Sequence, residues 1–146
     1  MKTICLFVSV SLLFFSASTS KESEYDKAVS LVKKAINFYD KNGKDETLNA
    51  VTAGKFMEGR IYVFIYDYSA VMLAHPENKK LIGRNLFNVP DADGKYFRKN
   101  IVEDAKVKGS GWVDYKYKNP ETGKVESKTT YFQNHKGLIF CCGVFK

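Results

Sequence analysis

Few side chains in this 146-residue sequence are spaced for covalent chemistry. No nucleophile elbow, zinc-ligand spacing or phosphate-cradling glycine loop accompanies its two histidines, His75 and His135. Asp91-Ala92-Asp93-Gly94 opens like a calcium loop but lacks the spaced ligands and terminal Glu. It reads as a turn leading into a helix. Cys141 and Cys142 are adjacent in an apolar run. Successive strand residues point to opposite faces, so the two thiols are not expected to bond to each other. They read as small buried hydrophobes, with a redox pair as the rival reading. Lys128 is more informative, because it falls inside a predicted strand. On a buried face its ammonium needs an anionic partner; on the other face it is a solvated surface charge. These residues point to binding rather than catalysis, with no metal or cofactor expected.

The elements that carry them follow from periodicity. Tyr25, Ala28, Val29, Val32, Ala35, Ile36 and Tyr39 repeat at helical spacing, predicting a helix over 22–41 that stops at Asn42-Gly43. A shorter helix follows, with Asp45 near its start and Leu48, Ala50 and Val51 inward. From Arg60 the period becomes two, and Ile61–Asp67 reads as a strand. Tyr68-Ser69 turns into a second strand over Ala70–Ala74, which His75-Pro76 ends. Residues 76–94 are loop, and Tyr96–Lys108 is a helix with Phe97, Ile101, Val102 and Ala105 inward. Three strands complete the chain: Trp112–Lys118, Lys124–Asn134 and Leu138–Phe145. The last is apolar almost throughout, which predicts burial on both faces. The fold class expected is α+β: an antiparallel five-stranded sheet with a long N-terminal helix and its helices packed on one side.

Composition narrows the setting. Hydrophobic residues are 45% and charged residues 27%, a globular balance. Residues 1–20 combine Lys2, an apolar run from Ile4 to Phe15 and the small residues Ser16 to Ser20, the order of a cleaved secretory signal. The run is shorter than the roughly 20 residues a membrane span needs. The expected organisation is a signal over 1–20 and one domain over 21–146, periplasmic or secreted, with no membrane span in the mature chain. The net charge of +7 comes from scattered lysines, and export argues against nucleic acid as a partner.

Several stretches taken in order carry a resemblance to a family. They are Tyr62-Val63-Phe64-Ile65-Tyr66-Asp67, Leu73-Ala74-His75-Pro76, Leu81-Ile82-Gly83-Arg84 and Asp91-Ala92-Asp93-Gly94. Ala105 to Tyr115, Asn119-Pro120-Glu121-Thr122-Gly123, Lys128 and Tyr131 continue the series. The sequence resembles the single Cache domain family, PAS-like extracytoplasmic sensor modules of bacterial chemoreceptors and histidine kinases. The resemblance implies a pocket on one side of the sheet that binds a small organic acid. It implies that Tyr66, His75, Arg84, Trp112, Tyr115, Lys128 and Tyr131 are the ligand-binding candidates, with Arg84 or Lys128 as the carboxylate's cationic anchor. Strict alternation puts Tyr131 opposite Lys128, so both can line the pocket only across a bulge. The family's last strand usually closes Gly-x-Tyr, whereas this one reads Gly143-Val144-Phe145. No output domain follows Lys146, so the expectation is a stand-alone sensor that signals through a separate membrane receptor or kinase and catalyses nothing. The alternative is a structural or partner-binding protein that has lost the pocket.

Overall fold

The computed structural model describes residues 22–146; the segment read as an export signal lies outside them. Helix α1 (Glu24–Asn42) starts at Ser23, whose hydroxyl accepts the Asp26 N–H at 3.2 Å. Glu24 and Asp26 suit the positive end of the helix. Ala28, Leu31, Val32, Ala35 and Ile36 form its buried stripe. Gly43, at φ +82°, ends α1 and leads directly into α2 (Lys44–Thr52).

The sheet is antiparallel throughout. Its order is β3 (Met72–Ala74), β2 (Ile61–Asp67), β6 (Leu138–Phe145), β5 (Val125–His135), β4 (Ser110–Lys118), and the two-residue β1 (Met57–Glu58) pairs with the start of β2. Strand β6 lies in the middle, and every residue from Leu138 to Val144 is buried. The expected second strand is shorter than its apolar run, because Ala70 is taken into the turn at φ +57°. Asp67 closes that turn, its Oδ1 accepting the N–H groups of Ser69 at 2.8 Å and Val71 at 2.9 Å.

Both faces of the sheet are covered, which corrects the expectation of helices on one side only. Val63, Ile65, Phe140 and Cys142 pack with α1, while Phe64, Tyr66, Phe132, Ile139 and Cys141 pack with α3 (Phe97–Lys108). A central strand apolar on both faces requires this, since one helical layer would leave the other face in water.

On the α3 face, residues 76–96 and α3 form a covering layer that Asp91 fastens to the edge strand. Its Oδ2 accepts the Lys116 N–H at 2.8 Å, and its Oδ1 accepts those of Lys95 at 2.8 Å and Asp93 at 3.0 Å. Partial burial alone would raise this carboxyl's pKa, but the three N–H groups outweigh burial and hold it below the usual value.

The two cysteines sit on opposite faces as expected, both free and both buried. Burial pushes the Cys142 thiol up to about 12 and the Cys141 thiol well above its usual value. Thiol titration of the native protein should therefore find both unreactive, and denaturant should release both. A mapped Cys141–Cys142 disulfide, or fast native labelling of either, would contradict this arrangement.

Candidate functional site

Between the sheet and its α3 cover lies a small cavity lined by Tyr62, Phe64, Tyr66, His75, Arg98 and Lys128, among others. It leaves about 10 Å³ for the centre of a water molecule, room for one water and little more. Side-chain parity explains which strand residues reach it. Tyr62, Phe64 and Tyr66 share one face of β2, and Tyr115, Tyr117 and Lys128 share the same sheet face from β4 and β5.

Lys128 is 3% exposed, directly opposite Tyr115 on one neighbour and Phe145 on the other. Its Nζ lies 4.6 Å from the ring centre of Phe145, 5.1 Å from that of Tyr117 and 5.3 Å from that of Tyr62. Those ring faces give the ammonium some electrostatic compensation. Burial still pushes its pKa down to about 8.

Arg98 is the second buried cation, 6% exposed, in the first turn of α3. Its Nε donates to the Tyr66 hydroxyl at 3.2 Å, and its guanidinium stacks over Phe97, 4.2 Å from the ring centre. The positive end of a helix is a poor place for a positive charge unless an anion is to be held there. Among the described residues, no carboxylate forms an ion pair with Arg98 or Lys128.

His75 completes the polar set. Its Nδ1 accepts the N–H groups of Asn78 at 2.9 Å and Glu77 at 3.2 Å, which leaves Nε2 to carry the ring proton. Burial first, then the charges of Lys128 and Arg98, hold its pKa at about 4, so the ring is neutral at pH 7. Phe64 stacks on it with ring centres 5.7 Å apart. Tyr115 stacks on Phe97 at 3.8 Å, and its hydroxyl is tied to that of Thr130 at 2.8 Å.

The structure brings together four of the residues the sequence nominates: Tyr66, His75, Tyr115 and Lys128. The other three lie elsewhere. Arg84 is exposed in the covering loop, where its backbone carbonyl accepts the Met72 N–H at 3.1 Å. Trp112 and Tyr131 are paired across the β4–β5 ladder on the opposite face, with Trp112 38% exposed and 5.3 Å from Tyr25. No bulge interrupts that ladder, so alternation keeps Tyr131 away from Lys128. Arg98 is the residue that sequence reading misses. Its signal is present: with Ile101, Val102 and Ala105 it repeats at i, i+3, i+4 and i+7, a charge on the apolar stripe of a helix.

The chain's similarity to known proteins fits this geometry. A family model described as Single Cache domain 2 matches residues 27–140. The sensor histidine kinase MctS of Rhizobium johnstonii is 30% identical over 122 residues, 77% of this chain and 25% of the kinase. The methyl-accepting chemotaxis protein McpP of Pseudomonas putida is 33% identical over 86 residues, 58% of this chain and 16% of the receptor. The chain thus spans a quarter or less of the length of these relatives. A Cache chemosensory domain, solved to give the structural basis for carboxylic acid recognition, is 26% identical with a TM-score of 0.72. That match covers 84% of this chain and 92% of the solved one.

The buried ammonium has a consequence for stability. Lys128 loses its proton near pH 8 when folded and near 10.5 when unfolded. Between those values the unfolded chain binds more protons, so stability rises with pH across the window. Below pH 8 the fold bears the full penalty of burying the charge, roughly 3 kcal/mol less what the rings return. Lys128→Met should therefore stabilise the protein at pH 7 by about 1–3 kcal/mol. The gain should shrink from pH 8 to 10.5, as read by urea denaturation. A less stable variant at pH 7 would contradict an unpaired buried ammonium.

Proposed function

The chain belongs to the single Cache domain family, a family of sensor domains, and from that premise we propose that its cavity binds a small monocarboxylate. In this reading Arg98 and Lys128 hold the anion, while His75 Nε2–H and the Tyr66 hydroxyl supply neutral hydrogen bonds. The observation that carries the reading is the pair of cations, both more than nine-tenths buried in one cavity, with no carboxylate of the described residues to neutralise them. A buried charge without a counter-ion is costly, and an arriving carboxylate recovers that cost as affinity. The carboxylic acid recognition addressed in the solved Cache domain supports the same ligand class.

The cavity's size sets two further features. With room for a single water, it admits only a few heavy atoms, and only after the cover shifts. Occupancy is thereby linked to the position of α3 and residues 76–96, the differential contact that a sensor needs. Relatives in which such a domain is part of a histidine kinase or chemoreceptor suggest that the shift is read by a signalling partner. Residues 1–20 would deliver the domain outside the cytoplasm, with 21–146 as the sensor. No described helix is long and apolar enough to cross a membrane.

A panel of two- to four-carbon monocarboxylates, screened by thermal shift and titrated by calorimetry, tests the reading. Arg98→Met and Lys128→Met should each weaken binding about 30-fold or more, the cost of removing one partner of a desolvated charge pair. Arg84→Met should stay within about threefold, as for a solvated charge. Binding that survives both cavity substitutions would remove the cationic anchor. If no carboxylate binds at all, a partner-binding role replaces the sensor reading.

A further inference from the structure

Strand β6 contains one residue with no side chain to bury, Gly143, in the middle of the sheet. A glycine there weakens a strand, so its presence needs a reason. Backbone conformation does not supply one, because Gly143 is not among the residues at positive φ. Space does. A Cβ built on Gly143 would collide with Lys128 Cε, and it would lie 2.8 Å from Thr130 Oγ1 and 3.1 Å from Lys128 Nζ. The stem of Lys128 therefore runs across the bare backbone of β6 on its way to Tyr62, Tyr117 and Phe145.

We infer that Gly143 is a positioning residue: its missing side chain is the channel along which Lys128 reaches the cavity, so residue 143 sets where the anion-holding ammonium sits. The functional half of this inference rests on the carboxylate reading above; the steric half does not. Of the two groups that a methyl would displace, Thr130 is the less free. It stands directly opposite Gly143 on the ladder, and its hydroxyl is tied to Tyr115 at 2.8 Å. Lys128 ends in a flexible chain that, among the described residues, is held only by ring faces. Gly143→Ala should therefore fold with Thr130 in place and Lys128 turned away from the cavity.

Two measurements separate this inference from the carboxylate reading. The first uses no ligand: brief acetylation of the native protein, with the modified lysines mapped by mass spectrometry. Lys128 should be protected in the wild type and modified about tenfold faster or more in Gly143→Ala. Unchanged protection in the variant overturns the inference, whatever binds. The second titrates acetate and propionate separately. If the wild type binds either, Gly143→Ala should lose about tenfold or more, and adding Lys128→Met to it should cost no more than about threefold further. Losses that multiply instead overturn it. If the wild type binds neither anion, the carboxylate reading fails while the acetylation result still decides the place of Gly143. Should Gly143→Ala fold too poorly to assay, Lys128→Ala added to it should restore the Tm to within about 3 °C of Lys128→Ala alone. A double variant that stays unstable would mean that Gly143 makes room for Thr130 rather than Lys128, and would also overturn the inference.

Discussion

Burial of β6 on both faces is the constraint from which the rest of the architecture follows. A strand reading Leu138-Ile139-Phe140-Cys141-Cys142-Gly143-Val144-Phe145 cannot leave either face in water, so it must sit mid-sheet between two layers. On one side α1 closes against Phe140 and Cys142 with an aliphatic stripe, and that half is ordinary core. On the other side the cover is made by α3 and the loop before it, and here the apolar packing is interrupted by Arg98, His75 and Lys128. The same alternation that separates the two thiols thus separates a face that supplies stability from a face that can supply recognition.

The face under α3 is held in an unfavourable state at some cost. Among the described residues, Lys128 and Arg98 are buried beside rings, the Tyr66 hydroxyl and the Val89 carbonyl rather than carboxylates, and both help to keep His75 neutral. Exchanging such groups for apolar ones often stabilises a protein, so their presence argues for a use outside folding. The aromatic surroundings are part of that use. Tyr62, Tyr117 and Phe145 make the ammonium tolerable without neutralising it, which is what the proposed carboxylate site requires. Of these three rings that of Phe145 is the one nearest the ammonium.

Much of this was legible in the sequence because it depends on local rules. The bounds of β2 and the character of β6 followed from β-branched and aromatic runs, and the α1 stripe from helical spacing. Lys128 stood out too, since a lysine inside a strand is either buried against a partner or solvated, but its face was left open. What was not legible was the angle at which the covering loop and helix would settle on the sheet. Arg84 and Arg98 both lie in the covering layer; only α3's contact with the sheet, fixed by long-range packing, turns Arg98 inward and leaves Arg84 outside. Trp112 was a different kind of miss. Tyr115 is three residues further along the same strand, so strand parity alone puts the two on opposite faces. Helices on both faces could likewise have been inferred from the two-sided apolarity of β6.

The claim that an anion completes the Lys128 site predicts a movement of protons, which calorimetry in buffers of different ionisation enthalpy measures directly. At pH 9, above the folded value of about 8, Lys128 is mostly neutral before binding. A carboxylate beside it favours the charged form, so binding should take up a substantial fraction of a proton, and affinity should fall as pH rises above 8. At pH 7, where Lys128 is already charged, uptake should be small, and in Lys128→Met the uptake at pH 9 should vanish. A carboxylate that binds the wild type at pH 9 with no proton uptake, and with an affinity flat from pH 7 to 10, would show that Lys128 does not hold the ligand.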